Sequence, residues 1–169
     1  MGSLIGFKIE RLAKQDRSGF SCGQESLDDY IQHQAKQDEK RSIAVTYLLV
    51  EESTDLLAGY YTLSSTSIQT GTLPEELAKK LPRYPVQPAI LLGRLAIDSR
   101  FQGKNLGAAL LANALHRSFT SSREVGAFAV VVQALDENAE RFYLKFGFQK
   151  LPDQQRLLIL TMATIAKLF

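Results

Sequence analysis

Hydrophobic and polar residues alternate with different periods along the chain, and the changes of period predict where its elements lie. Residues 7–13, "FKIERLA", alternate as in a short edge strand. The apolar residues that follow stand at helical spacing: Leu27, Tyr30, Ile31 and Ala35. Ser26, or a residue just before it, is predicted to cap this helix. The N-terminal part is therefore expected to form a strand and then a helix.

The central part of the sequence predicts a hairpin followed by buried strands. The segments "SIAVTYLLVEE" and "LLAGYYTLSSTSI" are rich in β-branched and aromatic residues and are separated by "STD", which is typical of a β-hairpin. The segments "AILLGRLAI" and "AFAVVVQAL" are almost continuously apolar, which is typical of central strands covered on both faces. The segment "RLLILTMAT" predicts a last strand.

Three helical segments separate these strands. "PEELAKKLPRYPVQP" predicts a short helix that starts at Pro74 and is followed by an extended loop. One face of a longer helix is formed by Leu106, Leu110, Leu111, Ala114 and Leu115. "DENAERFYLKFGF" predicts a short helix that ends at Gly147. An antiparallel group followed by strand–helix–strand–helix–strand order indicates an α+β or mixed α/β fold.

The composition is ordinary for a globular chain. The 169 residues are 45% apolar and 22% charged, so we expect a single domain over residues 1–169. The sequence has neither the roughly 18–20 consecutive apolar residues of a membrane span nor a secretory signal, which predicts a cytoplasmic protein without a membrane partner. One cysteine, Cys22, excludes an intrachain disulfide, and with two histidines it argues against a zinc site, so no metal is expected. The net charge of +2 neither requires nor excludes a nucleic-acid partner.

A polar turn between the "AILLGRLAI" strand and the following helix is the first candidate for chemistry. Gly103 and Gly107 flank Lys104-Asn105-Leu106, and glycine allows a ligand to approach the backbone. A helix N-terminus offers unpaired N–H groups and the positive end of the dipole, a combination that binds phosphate. The turn lacks the P-loop and G-x-G-x-x-G patterns. From these residues alone, a tight turn without a ligand stays an open alternative.

Two motifs together resemble the GNAT superfamily of acetyl-coenzyme A-dependent N-acetyltransferases. "LLGRLAID" followed by "RFQGKNLGAALL" resembles its central strand and Q/R-x-x-G-x-G/A turn, with Gln102 and Gly107 at the first and last positions. Asn105 stands where glycine is usual. "DENAERFYLKFGFQK" resembles the second signature, a helix that carries a tyrosine and ends at a Gly-Phe pair. The resemblance covers residues 43–162 and implies a mixed, mostly antiparallel sheet with a splayed strand pair, flanked by helices.

The resemblance also implies which residues bind acetyl-CoA and which one acts on it. The implied cofactor-binding residues are Leu95, Ala96, Ile97, Gln102, Gly103, Lys104, Asn105, Leu106, Gly107, Ala108, Asn138 and Phe142. Tyr143 is implied as the acid that protonates the departing coenzyme A thiolate, because a phenol with a pKa of about 10 carries a proton at neutral pH. From spacing alone, Phe142 and Tyr143 also fit an aromatic pair in the core face of a short helix.

A finer resemblance concerns the acceptor. "FSCGQESLDDYI" and "PAILLGRLAID" resemble the tRNA-acetylating toxins of bacterial toxin–antitoxin pairs. Those proteins acetylate the α-amino group of aminoacyl-tRNA and stop translation, and they are typically dimers inhibited by a ribbon-helix-helix antitoxin. Neither motif carries an obvious His or Glu base, which suits an α-amino group of pKa about 7.7–8.0 better than a lysine of about 10.4.

The candidate acceptor residues keep two interpretations each. Arg94 is a charge in an apolar strand, and it either contacts the RNA phosphate or substrate carbonyl or belongs to a structural ion pair. Two basic clusters either follow tRNA phosphates or are solvated: Lys36, Lys40 and Arg41, and Lys79, Lys80 and Arg83.

Two other functions stay open besides acetylation of aminoacyl-tRNA. One is the same transfer to a small or protein amine, which acidic residues in the acceptor cleft would favour. The other is an inactive module that binds acyl-CoA or a partner, against which the intact turn and Tyr143 argue.

Overall fold

Seven strands and six α-helices are found in residues 3–169, the part of the chain that the computed structural model describes. The strands are β1 (Phe7–Arg11), β2 (Val45–Glu51), β3 (Leu57–Gln69), β4 (Val86–Ile97), β5 (Ala129–Gln133), β6 (Gln149–Lys150) and β7 (Leu157–Thr161). The helices are α1 (Glu25–Asp29), α2 (Ala35–Lys40), α3 (Glu75–Ala78), α4 (Leu106–Ser122), α5 (Glu137–Lys145) and α6 (Met162–Ile165). None of these helices of residues 3–169 is both long enough and apolar enough to cross a membrane.

The strands follow the order β1-β2-β3-β4-β5-β7-β6 in one sheet. The pairs β1–β2, β2–β3, β5–β7 and β6–β7 are antiparallel, whereas β4 and β5 run parallel. The two almost continuously apolar strands, β4 and β5, lie in the interior of this order, and the short alternating β1 lies at an edge. The prediction of a mixed, mostly antiparallel sheet flanked by helices is confirmed.

The parallel pairing of β4 with β5 is short. It runs from Ala89 opposite Ala129 to Leu92 opposite Val132. Residues 94–97 of β4 lie beyond that last pair, so the register with β5 does not include them.

The chain divides into two compact units with separate apolar clusters. One unit consists of the residues up to Ser64 together with Gly93–Ala114, and its cluster includes Phe20, Ile31, Leu48 and Tyr60. The other consists of Ser65–Leu92 and Leu115–Phe169, and its cluster includes Ile68, Ala129, Val131 and Ile159. That the chain forms a single domain stays a prediction.

Gly59 marks a close approach between β3 and the end of β4. A Cβ at this position would lie 2.8 Å from the carbonyl oxygen of Ala96 and 2.7 Å from the Cδ1 of Ile97. Nearby, the Asp98 N–H donates to the carbonyl of Ala58 at 2.8 Å. Backbone atoms occupy the space that a side chain would need, so a residue other than glycine here has to push the end of β4 away.

The N-cap of α1 is Gln24, which is one of the residues just before Ser26, although its side chain makes no capping hydrogen bond. Two other local predictions are wrong in detail. The helix predicted from the N-terminal periodicity is also interrupted by a π-helical segment, Tyr30–Gln34, between α1 and α2. The last strand ends at Thr161 because its hydroxyl accepts from the Thr164 N–H and thereby caps α6, where a continued strand was predicted.

Candidate active site

The turn between β4 and α4 is exposed and takes a left-handed backbone path. Residues 102–105 are exposed, whereas Phe101 before them and Leu106, the first residue of α4, are buried. Gly103 has a φ of 82° and Asn105 a φ of 59°. Asparagine tolerates this region better than most residues, as the sequence predicted for this position. The turn thus leads with exposed backbone into the N-terminus of a 17-residue helix, where N–H groups lack intrahelical partners.

Gln102 anchors the turn through its side chain. Its Nε2 donates to the carbonyl of Ile97 at 2.9 Å and to the carbonyl of Cys22 at 3.1 Å. The side-chain amide therefore ties the turn to the end of β4 and to the segment that precedes α1. Because Nε2 is occupied, the donor of Gln102 that remains for a ligand is its backbone N–H.

Asp98 is a structural centre that the sequence motifs did not single out. Its side chain is 1% exposed, and its two carboxylate oxygens accept from the Ser21 N–H and from the N–H, Nε and Nη2 of Arg100, at 2.9–3.0 Å. Burial alone would raise the pKa of this carboxyl, but the hydrogen bonds from Arg100 and Ser21 outweigh it and hold the pKa below its usual value. In the sequence, this role is indicated by the position of the aspartate directly after an apolar strand.

The cations near the turn differ in their partners. Arg100 is bound to Asp98, with its Nε 2.9 Å from the carboxylate. Lys104 is exposed, and its Nζ lies 5.5 Å from the centre of the Phe101 ring. Lys104 is therefore the more available of the two for a phosphate.

Tyr143 is buried on α5 with its ring packed edge-on between aromatic neighbours. The ring is 7% exposed and lies 5.3 Å from both Phe142 and Phe148, between ring centres. Burial raises the pKa of the phenol well above its usual value, and no charge or hydrogen bond from residues 3–169 offsets that effect. The packing expected of an aromatic core pair is thus present, and it leaves the hydroxyl protonated at every physiological pH.

The other residues implied for the pantetheine arm differ in exposure. Phe142 is half-buried, and its ring also contacts Phe146 at 5.0 Å. Asn138 is exposed in the first turn of α5 and accepts a hydrogen bond from Arg141. On β4, Ala96 is buried and Leu95 and Ile97 are half-buried.

Arg94 finds its partner in an aromatic ring. Its guanidinium carbon lies 3.4 Å from the centre of the Tyr30 ring, in the π-helical segment. The Tyr30 hydroxyl donates to Asp38 at 2.8 Å, and burial followed by this hydrogen bond raises the pKa of Tyr30 to about 12. A cation stacked on a ring whose hydroxyl binds a carboxylate satisfies a half-buried arginine. The structure therefore supports a structural role for Arg94. Its partner is an aromatic ring, whereas the sequence suggested an ion pair.

The cationic residues of the first basic cluster lie on the surface. Lys36 is exposed on α2, and Arg41 is exposed at the C-cap of that helix. Both remain available to a polyanion.

Cys22 does not have the features of a nucleophile. Burial, followed by the hydrogen bond with Asp28, raises the pKa of its thiol to about 11. The thiol is therefore protonated at neutral pH, and a thiolate is the reactive form. Among residues 3–169, no three metal-ligating side chains come together.

Comparison with known proteins identifies the family. The sequence model of the acetyltransferase (GNAT) domain matches residues 84–159. A tRNA-acetylating toxin from Mycobacterium tuberculosis is 33% identical over 147 residues, which are 87% of this chain and 86% of that protein. The chain belongs to the GNAT acetyltransferase family. The matched range, residues 84–159, contains both the exposed turn and the buried Tyr143.

Two solved GNAT structures resemble the chain over almost its whole length. AtaT complexed with acetyl-methionyl-tRNAfMet has a TM-score of 0.89 and 32% identity, over 96% of this chain and 99% of that chain. A tyrosine-to-phenylalanine mutant of the AtaT toxin, bound to the C-terminus of the antitoxin AtaR and to acetyl-CoA, has a TM-score of 0.83 and 28% identity, over 97% and 98%.

Proposed function

We propose that this acetyl-CoA-dependent N-acetyltransferase acetylates the α-amino group of aminoacyl-tRNA and thereby blocks translation as the toxin of a toxin–antitoxin pair. The observation that carries the proposal is the similarity, over 96% of the chain, to AtaT in complex with an acetylated aminoacyl-tRNA. The similarity to the Mycobacterium tuberculosis tRNA-acetylating toxin supports the same acceptor. AtaT bound to AtaR supports an antitoxin partner, for which we propose a ribbon-helix-helix protein. A homodimer in the cytoplasm is part of the proposal.

The exposed turn binds the pyrophosphate of acetyl-CoA in this proposal. Its left-handed residues, Gly103 and Asn105, and the N-terminus of α4 present N–H groups to a phosphate, and Lys104 adds a positive charge. Leu106, Gly107 and Ala108 form the first turn of α4 and contribute through their N–H groups. The anchoring of Gln102 to Ile97 and Cys22 holds this arrangement in place before a ligand arrives.

The remaining donor contacts follow the pantetheine arm. The backbone of Leu95, Ala96 and Ile97, beyond the last β4–β5 pair, offers N–H and carbonyl groups for an added hydrogen-bonded segment. Asn138 and Phe142 supply an amide and an apolar surface toward the thioester. Each of these roles is a part of the proposal that single substitutions test.

Acetyl-CoA supplies an activated acyl group, and the chain supplies the proton for the departing thiolate. The neutral α-amine attacks the thioester carbonyl, and the carbon–sulfur bond breaks as the Tyr143 hydroxyl donates its proton to sulfur. The proton released by the newly acylated nitrogen then returns to the phenolate, directly or through water, which restores the acid. Because burial keeps the phenol protonated, the acid is in its active form at neutral pH. An α-amino group has a pKa of about 7.7–8.0, so a useful part of the acceptor is neutral without a strong base.

The acceptor RNA is bound through exposed cations in this proposal. Lys36 and Arg41 lie on the surface of α2 and at its C-cap, where phosphates can reach them. The Arg94 guanidinium stacks on the Tyr30 ring and so has a structural role on the acceptor side of the site. Only the part of the guanidinium that the ring leaves uncovered contacts the substrate.

A negative charge in the turn should weaken acetyl-CoA binding without unfolding the protein. Asn105→Asp keeps the size of the side chain and its tolerance for positive φ, and a carboxylate near a helix N-terminus stabilises the helix. We expect about a ten-fold higher Kd for acetyl-CoA, since charges at contact distance near a surface interact by a few kcal/mol, reduced by salt. Calorimetry measures the Kd, and thermal unfolding reports the fold.

The matched control is Asn105→Gly, which restores the residue usual at this position of the family's turn. It should bind acetyl-CoA as well as the unmodified protein. Equal affinity of all three proteins would show that the pyrophosphate does not lie at this turn.

The acceptor is tested directly with radiolabelled acetyl-CoA and total charged tRNA. Label is expected in RNA that is sensitive to ribonuclease and to mild alkali, which cleaves the aminoacyl ester. Deacylated tRNA should take up none. Label in a polyamine or a protein amine instead, with none in tRNA, would overturn the proposed acceptor. Acetyl-CoA binding without transfer to any amine would indicate a binding module.

A further inference from the structure

A cavity lies beside the proline-rich loop, and its lining includes Lys79 and Arg83 of the second basic cluster. Its volume is about 470 Å³, within the range of ligand sites in proteins. The loop side of the cavity is formed by Pro82, Arg83 and Tyr84, and the helix side by Glu75 and Ala78 of α3 and by Lys79, its C-cap. Tyr84 is 65% exposed, so its ring is accessible to a ligand.

Hydrogen bonds from Gln87 and Thr70 hold the loop that carries Tyr84. Gln87 is 3% exposed, and its Nε2 donates to the carbonyl of Pro82 at 2.8 Å and to the Thr70 hydroxyl at 3.2 Å. The same hydroxyl donates to the carbonyl of Tyr84 at 2.5 Å, and the Thr70 N–H donates to Pro85 at 3.0 Å. The backbone on both sides of Tyr84 is therefore held by hydrogen bonds from Gln87 and Thr70, so little loop entropy is lost when a ligand packs on the ring.

Three charged residues line the cavity, namely Lys79, Arg83 and Glu75, so its lining has a net charge of +1. Lys79 lies 3.7 Å from Glu75, and both side chains are mostly exposed, so that pair is weak and screened by salt. Lys80 and Arg83 are exposed beside it. An exposed aromatic ring next to several cations is the arrangement by which proteins bind single-stranded nucleic acid, since bases stack on the ring and cations meet phosphates.

We propose that this cavity binds an unpaired nucleotide of RNA, with its base stacked on Tyr84 and its phosphate near Arg83. The inference rests on the proposed tRNA acceptor for its biological ligand, although the site can be tested without acetyl transfer. An apolar peptide would use the ring but would gain nothing from the cations. A fully paired RNA would meet the cations but has no free base for the ring.

Stacking is tested by a substitution series at Tyr84. Tyr84→Phe should bind fluorescent oligoadenylate like the unmodified protein, whereas Tyr84→Leu, of similar apolar bulk, should bind about ten-fold more weakly, because one stacked base contributes that order of affinity. A blunt RNA duplex should not distinguish the variants. Equal oligoadenylate affinity of Tyr84→Leu and the unmodified protein would overturn the site.

The chain contains no tryptophan, which allows a direct reporter. Tyr84→Trp introduces a single indole whose fluorescence should fall on addition of oligoadenylate and should not fall with the blunt duplex. Phe169→Trp, also exposed, is the matched reporter and should not respond. A Tyr84→Trp signal that stays constant at saturating oligoadenylate would exclude stacking at this position.

The phosphate contact is tested by charge reversal. Arg83→Glu should weaken oligoadenylate binding and lower the slope of log affinity against log salt by about one. Arg123→Glu, the same change at an exposed site directly after α4, should leave both quantities unchanged. An equal effect of the two substitutions would indicate a general charge effect and overturn the Arg83 contact.

Failure of the site and failure of the proposed function are distinguishable. Acetylation of charged tRNA that proceeds with an unchanged KM in Tyr84→Leu would reject the nucleotide site and leave the acceptor assignment standing. Base stacking on Tyr84 without acetylation of charged tRNA would reject the acceptor assignment and leave the site standing.

Discussion

Tyr143→Phe is expected to slow acetyl transfer about 10²–10⁴-fold, the usual contribution of a positioned general acid. Phenylalanine keeps the ring that packs against Phe142 and Phe148 and removes only the hydroxyl. Because that hydroxyl has no hydrogen bond within residues 3–169, the free energy of unfolding should change little. Steady-state kinetics with charged tRNA measures kcat, and calorimetry should give the same Kd for acetyl-CoA as in the unmodified protein.

Tyr61→Phe is the matched control for loss of a phenol. The Tyr61 hydroxyl donates to Asn113 at 2.6 Å, so this variant should lose about 1 kcal/mol of stability and keep its transfer rate. The two substitutions thus separate a hydroxyl that stabilises from one that reacts. Full activity of Tyr143→Phe would assign the proton transfer to another group or to water.

The pH profile provides a second check on Tyr143. A group whose pKa is raised by burial does not titrate near neutral pH, so the phenol should produce no loss of kcat between about pH 6 and 9. The rise of activity with pH should instead follow deprotonation of the acceptor amine, whose pKa lies below the value of about 7.7–8.0 for an ordinary α-amino group because its carboxyl is esterified. An additional loss of activity above pH 8 that vanishes in Tyr143→Phe would show that the phenol titrates far below the value its burial implies.

Asp98→Asn is expected to destabilise the protein by about 2–4 kcal/mol. The side chain is buried and accepts four hydrogen bonds, two on each oxygen. An asparagine of the same shape puts an NH₂ group against two of these donors, which leaves them unpaired. Chemical denaturation measures the loss. Arg100→Gln should cost less, since the arginine is 48% exposed and water replaces part of its interaction.

The effect of Asp98 should depend on pH in a defined direction. The folded pKa of the carboxyl is below its unfolded value of about 3.9, so the ionised form stabilises the folded state above that value. This stabilisation is lost as the pH falls from about 4 through the lower folded pKa. The difference in stability between the unmodified protein and Asp98→Asn should therefore be constant above about pH 5 and shrink in acid. A difference that persists in full at low pH would mean that the charge of Asp98 is not what stabilises the turn.

Most of the fold could be predicted from the sequence because each element has its pattern within one short segment. The apolar β4 and β5, the hairpin and the helix ended by Gly147 each carry their pattern within one short segment, and the structure confirms them. The π-helical segment at Tyr30–Gln34 has no such local signature. Its residues Tyr30 and Ile31 are both buried, and Tyr30 is placed by Arg94, which is far away in sequence.

The candidate site could be predicted from the sequence less completely than the fold, and for a different reason. The turn and Tyr143 belong to motifs that the family resemblance identifies. The groups that hold the turn in place do not belong to any such motif. The contact of Asp98 with Ser21 joins residues 77 positions apart, and that of Gln102 with Cys22 joins residues 80 positions apart. Likewise, the exposure of Tyr84 depends on Gln87 and Thr70, and a proline-rich stretch alone does not show which side chain projects from it.

Gly59 also sets a limit on how this chain can diverge. With the Ala96 carbonyl oxygen only 2.8 Å from where a Cβ would stand, any larger residue requires a compensating change in the path of the neighbouring strand. Drift at such a position needs two coordinated mutations, and a single one is disfavoured. Among descendants of this sequence, position 59 should therefore remain glycine long after the exposed residues around it have been replaced.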